Sequence, residues 1–297
     1  MSIFEKLKGT GVALVTPFDK DGSIDFSSYK NLIDFVIAGG CNYVVALGTT
    51  GEAPVLGKEE KIKLIEATYE HVNGRVPVVV GVGGNYTASV IDDLCNFPLE
   101  GATAVLSVSP YYSKPSQEGI YQHYKVIAEA SPKPIILYNV PGRTGREVSV
   151  DTVVRLSREV ENIIGIKDAS GDVVTGIRLL KFCPDSFLVI SGDDHLAIAQ
   201  ISSGMKGVIS VAANAFPAQY SSMISEAMNY NFQKAYKINA QLLEAYDLMF
   251  CENNPAGIKA FLSEMNLISN FLRLPGVPLS EVHLQKVKYF LANNKSK

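Results

Sequence analysis

One lysine interrupts the apolar run Ile163-Ile164-Gly165-Ile166-Lys167-Asp168-Ala169-Ser170. An ammonium on a buried strand is costly unless a carboxylate pairs with it or the site removes its proton. In the second case the free amine attacks carbonyl carbons, the first step of Schiff-base chemistry. In the first case Lys167 is structural, paired with Asp168 or extending its head to a surface. Other apolar runs also end in residues with chemical uses. Gly48-Thr49-Thr50-Gly51-Glu52 offers backbone N–H groups and two hydroxyls to a small anion, or caps the next helix. Tyr138 closes a run as a proton donor or as a core ring with a wet hydroxyl. Arg143 follows in a Gly/Pro-kinked loop, a bidentate fork for a carboxylate or a solvated loop cation. Pro110-Tyr111-Tyr112, Ser191-Gly192-Asp193-Asp194 and Gly207-Val208-Ile209-Ser210 complete the set. His71, His123, His195 and His283 have no metal-ligand spacing, so no metal is expected, and no Ser-His-Asp arrangement is present.

These residues lie at corresponding places in a repeating pattern. Strand-like runs recur at 11–18, 43–48, 76–84, 102–112, 134–141, 163–170, 187–194 and 207–213. They are rich in Val, Ile and Leu without alternation, as strands buried on both faces are. Helical patterns lie between them. Asp25 or Ser27 caps one, and 58–73 forms another before Gly74; more are expected at 117–130, 150–158, 173–182 and 196–202. Eight such strands separated by helices predict an α/β fold, a (β/α)8 TIM barrel. An open doubly wound sheet would carry a glycine-rich phosphate turn after its first strand, and Thr16-Pro17-Phe18 is not one. The strand rhythm stops after Ala215-Phe216-Pro217. A catalytic barrel over 1–217 is therefore expected, followed by a helical appendage over 218–297. Barrel active sites lie at the C-terminal strand ends, where all the segments above fall.

The chain has 297 residues, 47% hydrophobic and 19% charged, which predicts a large packed core. Its net charge of −3, with acids and bases intermixed, gives no basic face for nucleic acid. No membrane-spanning run or secretory leader is evident. Cys41, Cys95, Cys183 and Cys251 are scattered and read as reduced core thiols of a cytoplasmic protein.

Taken together, Gly48-Thr49-Thr50-Gly51-Glu52, Pro110-Tyr111-Tyr112, Tyr138-Asn139-Val140-Pro141-Gly142-Arg143-Thr144-Gly145 and Gly165-Ile166-Lys167 resemble the ordered motifs of the dihydrodipicolinate synthase family. That family belongs to the pyruvate-dependent class I aldolases. The resemblance runs from about residue 9 to residue 278. It implies that Lys167 forms a Schiff base with pyruvate, with L-aspartate 4-semialdehyde as the second substrate and no cofactor. It further implies that Thr49 and Thr50 hold the pyruvate carboxylate and that Tyr138 is the general acid/base. Thr49 would link Tyr138 to Tyr112 of a neighbouring subunit, forming a proton relay. Arg143 would bind the semialdehyde carboxylate, and Gly192 and Ile209 would line the site. An active site shared between subunits implies at least a dimer, and the family is usually a dimer of dimers.

N-acetylneuraminate lyase and keto-deoxy-sugar-acid aldolases resemble the same motifs at Lys167, Tyr138 and the threonine turn; Arg143 and Tyr111-Tyr112 favour the synthase. Two departures stand out. The family commonly has Asn-Pro-x-Pro-x-Lys near its end, where this chain has Asn254-Pro255-Ala256-Gly257-Ile258-Lys259, read as a loop change away from the chemistry. Lysine-inhibited relatives bind lysine near positions matching Ala53, Pro54, Lys58, Lys61, Asn85, Ser89 and Tyr111. Here Ser89 replaces a glutamate, and Lys58 and Lys61 replace histidines, so weak or absent lysine feedback is expected.

Overall fold

The computed structural model describes residues 2–294. Eight parallel strands form a closed barrel in chain order: β1 Gly9–Ala13, β2 Tyr43–Ala46, β3 Val78–Gly81, β4 Ala104–Val108, β5 Ile135–Asn139, β6 Ile163–Asp168, β7 Leu188–Ser191 and β8 Gly207–Ser210. The helices are α1 Ile3–Lys6, α2 Phe26–Ala38, α3 Lys58–Val72, α4 Thr87–Asn96, α5 Gln117–Ala130, α6 Pro141–Thr144, α7 Val150–Glu159, α8 Val173–Phe182, α9 Ala197–Ser202, α10 Pro217–Met228, α11 Phe232–Phe250, α12 Ala256–Glu264 and α13 Glu281–Asn293. The expected α/β barrel is what forms.

Two apolar layers explain why the strands carry no polar face. Ala13, Val45, Val79, Leu106, Ile136, Tyr138, Leu188, Ile190 and Ile209 pack together in one cluster inside the barrel. Residues one step away, such as Val12, Val44, Val80, Val105, Ile166 and Val208, join the larger cluster beneath the helices. The period of two along each strand divides the side chains between these layers. The barrel closes where β1 meets β8 at Gly9 and Gly207. A Cβ at Gly207, which has φ +149°, would lie 2.1 Å from the Gly9 carbonyl oxygen, so this seam requires glycine.

Helix starts follow local capping chemistry. The Asp25 side chain accepts from Ser28 N–H, Ser116 from Gly119, Ser149 from Thr152, and Asp172 from Val174 and Thr175. Helix α4, not among the helices expected from sequence, fills the gap between β3 and β4. The strands end earlier than the apolar runs predict, because the last residues of each run leave the ladder and form the loops above the barrel. Helix α10, assigned by sequence to the appendage, packs on β1, α2 and α9 and fills the eighth helix place of the ring. Helices α11, α12 and α13 lie beyond it. Cys41 and Cys183 are buried, whereas Cys95 and Cys251 are exposed, which corrects the reading of all four as core thiols. Cys95 and Cys251 sit on solvent-facing helix and helix-end positions, where chain pattern alone does not distinguish them.

Candidate active site

Strands β5 and β6 run side by side with Tyr138 opposite Lys167 and Asn139 opposite Asp168. Alternation then turns the first pair toward the barrel axis and the second pair toward the helices. Lys167 is only 5% exposed, and its Nζ lies over the Tyr138 ring, 4.4 Å from the ring centre. A cation or a neutral amine can occupy that face. Among the described residues no carboxylate lies within ion-pairing distance of Nζ. Asp168 is engaged elsewhere: Asn139 Nδ2 and Ser170 Oγ donate to it at 2.9 and 2.8 Å. Burial raises the Asp168 carboxyl, and these two donors oppose that rise. The structural alternative of a Lys167–Asp168 pair is thus excluded by geometry.

Gly192, just past β7, closes on Lys167 from the other side. A Cβ there would stand 2.9 Å from Lys167 Cε and 2.7 Å from Ala169 Cβ, so the lysine stem and the glycine backbone are in contact. Ile209 on β8 lies in the same interior cluster as Tyr138 and Ile190. The loop after it is pinned by buried Asp194, which accepts from Ser210 Oγ at 2.6 Å and from the backbone of Val211 and Ala212 at 3.1 and 3.0 Å.

The threonine turn follows β2. Gly51 N–H donates to Gly48 at 3.1 Å and Glu52 N–H to Thr49 at 3.1 Å, while Thr16 Oγ1 donates to the Gly51 carbonyl at 2.7 Å. Thr50 is buried, and its hydroxyl receives Asn254 Nδ2 at 3.0 Å. Thr49, Tyr138 and Arg143 line one cavity of about 880 Å³, open at the C-terminal end of the barrel. Arg143 is carried by the short helix α6 and is exposed; its Nη2 donates to the Asn254 carbonyl at 3.4 Å.

The chain therefore brings Lys167, Tyr138, Gly192 and Ile209 together inside the barrel. Thr49, Thr50 and Arg143 stand at its mouth. Tyr112 is not brought in: it is 89% exposed, with a left-handed φ of 69°. No hydrogen bond joins Thr49 to Tyr138 or Tyr112 among the described residues.

Sequence reading missed the C-terminal contribution. Asn254, 5% exposed, touches both Thr50 and Arg143, so residues 254–256 form part of the cavity wall rather than a remote loop. Five residues on, fully buried Lys259 pairs with Glu52 and donates to the Phe271 carbonyl at 3.0 Å. Burial pushes Lys259 down to about 8, with Glu52 working against that fall. Phe18 lies between two cations, Lys259 and Arg273, at 4.3 and 4.5 Å from its ring centre. Asparagine and lysine within an otherwise apolar helix start were the available signal, since neither is placed there by packing alone.

The patch around Ser89 also differs from the expectation. Lys58 forms an ion pair with Asp92, and Lys61 shares the cavity wall with Asn85, Ser89, Asp93 and Tyr111. Burial raises Asp93, against the pull of Lys61. Two carboxylates of α4 thus face the two added cations, and the charge there is more balanced than Lys58 and Lys61 alone suggest.

Residues 6–294 match the model of the Dihydrodipicolinate synthetase family. The chain is 51% identical over 280 residues to the 4-hydroxy-tetrahydrodipicolinate synthase of Cytophaga hutchinsonii, covering 94% of each chain. It is 47% identical over 292 residues to that of Phocaeicola vulgatus, covering 98% of each. Its backbone superposes on the dihydrodipicolinate synthase of Acinetobacter baumannii, solved in complex with pyruvate, with a TM-score of 0.94, 43% identity and coverage of 97% and 98%. The chain belongs to the dihydrodipicolinate synthetase family.

Proposed function

We propose that this chain condenses pyruvate with L-aspartate 4-semialdehyde through a Schiff base on Lys167, as a lyase of the 4-hydroxy-tetrahydrodipicolinate synthase type. The observation that carries this reading is a buried lysine that has no carboxylate partner among the described residues and is held against Tyr138, which itself lines the open cavity. The reaction is the first committed step toward diaminopimelate and lysine, and it needs no cofactor.

In its unprotonated form the Lys167 amine attacks the ketone carbon of pyruvate, and loss of water leaves an imine. The imine withdraws electrons, so the methyl carbon loses a proton and becomes an enamine. That carbon attacks the aldehyde of the semialdehyde. Tyr138 moves the protons at the imine carbon and at the aldehyde oxygen. The substrate amine then attacks the former ketone carbon, expels Lys167 and closes a six-membered ring. Thr49 and Thr50 hold the pyruvate carboxylate through backbone N–H groups and a hydroxyl, and Arg143 takes the carboxylate of the second substrate. Gly192 and Ile209 line the reacting centre.

Tyr112 serves the site of a second subunit, to which Thr49 and Tyr138 of that subunit connect. Its exposure and left-handed backbone support this placement. The functional unit is then at least a dimer and, as a dimer of dimers, a homotetramer acting in the cytoplasm.

Parallel assays of pyruvate with L-aspartate 4-semialdehyde and of N-acetylneuraminate cleavage test the substrate. Turnover of the first pair and none of the sialic acid is expected; the reverse result would make the chain a sugar-acid aldolase.

A further inference from the structure

We propose that Asn254 is a positioning residue that orients the Thr50 hydroxyl toward the keto-acid carboxylate. The inference rests on the proposed role of Thr50 in holding that carboxylate. A threonine hydroxyl has one proton and two lone pairs. The Asn254 Nδ2 group, 3.0 Å from Thr50 Oγ1, fills one lone pair and supplies no acceptor in that direction. The hydroxyl proton must then point elsewhere, and the neighbouring Thr49 lines the cavity from which an anion would approach the turn. A donor at its back also polarises the O–H bond, which strengthens the bond it gives.

Asn254 is itself fixed. Its own backbone carbonyl receives Arg143 Nη2 at 3.4 Å, so one residue touches groups assigned to both substrates. Next to it, the start of α12 is tied to the same turn by the buried Glu52–Lys259 pair. Both residues of the Asn254–Thr50 contact are nearly solvent-free, with Asn254 at 5% and Thr50 at 2% exposure. Water therefore cannot replace the amide donor at little cost. Among the described residues the Asn254 Oδ1 atom has no partner, consistent with an amide kept for its donor side. The helical appendage thereby takes part in pyruvate binding without touching pyruvate.

The test uses the full chain and borohydride trapping of pyruvate on Lys167, read by mass spectrometry as the pyruvate concentration giving half-maximal adduct. Asn254→Leu, which keeps the volume and removes the donor, should raise that concentration about fivefold to tenfold, the range of one neutral hydrogen bond lost. Asn254→Ala should raise it in the same direction and serves should leucine impair folding. Both should change the KM for L-aspartate 4-semialdehyde less than about twofold, because the backbone carbonyl facing Arg143 remains. In a Thr50→Val background the Asn254 effect should vanish, and in a Thr50→Ser background it should persist. An equal effect with valine or serine at position 50, or no rise in either Asn254 variant, overturns the inference alone. No adduct in the unsubstituted chain overturns the Schiff-base reading and this inference with it.

Discussion

At the scale of single residues, the site separates two tasks. Lys167 is enclosed by Tyr138 and Gly192, while Arg143 is exposed on α6 and lines the cavity. Arg143→Ala should still form the borohydride-trapped pyruvate adduct yet lose turnover of L-aspartate 4-semialdehyde by at least about a hundredfold in kcat/KM, as loss of a charged bidentate contact would give. Normal turnover in that variant would refute the assignment of the second carboxylate to Arg143. Lys167, Tyr138 and Arg143 were legible because each follows or interrupts an apolar strand, so strand order alone placed them at one end of the barrel. Asn254 was not, because it lies 87 positions beyond Lys167, outside the strand rhythm, and its contact with Thr50 exists only after α12 folds back over the barrel mouth. The absence of a Lys167–Asp168 pair was equally hidden, since it depends on which face of β6 each side chain takes.

At the scale of elements, the eight strands could be counted from sequence, but their ends could not. Apolar residues beyond the ladder, such as Leu14 and Val15 after β1, are buried as loop rather than as strand. The link between α12 and the turn after β2 is a buried ion pair, Glu52 with Lys259. Removing one partner strands the other charge, so Lys259→Met should lower stability to urea by about 3–5 kcal/mol. The double variant Glu52→Gln with Lys259→Met should recover most of that loss. A single variant as stable as the parent would show that the pair contributes nothing. A second element-level prediction concerns α4 and α5, where buried His123 bonds Thr87 Oγ1 through Nδ1 at 2.9 Å. Burial pushes His123 down to about 4 from its usual 6.5. The unfolded chain then binds the proton first, so this stabilisation is complete above pH 6.5 and is lost as pH falls from 6.5 toward 4. It amounts to about 3 kcal/mol. Urea midpoints for His123→Gln should show less loss of stability across that window than the parent does. Parallel pH profiles for the two chains would contradict this account.

At the scale of the whole molecule, a closed barrel places catalytic groups at one end and leaves its outer surfaces for assembly and regulation. Tyr112 turns away from its own barrel, and nothing in the sequence pattern signals that direction. The same mouth reaches Lys61, Asn85, Ser89 and Tyr111 through one continuous cavity. Asp92 and Asp93 offset the local cations, yet no carboxylate occupies position 89 itself. Lysine should therefore inhibit weakly or not at all in steady-state assays, and half-inhibition at submillimolar lysine would contradict that expectation. Every step of the proposed reaction begins at the buried Lys167 amine. Incubation with pyruvate and borohydride, followed by proteolysis and mass spectrometry, should find a reduced pyruvate adduct on the peptide carrying Lys167 and on no other lysine. An unmodified Lys167 under conditions where the chain turns over its substrates would contradict the Schiff-base mechanism.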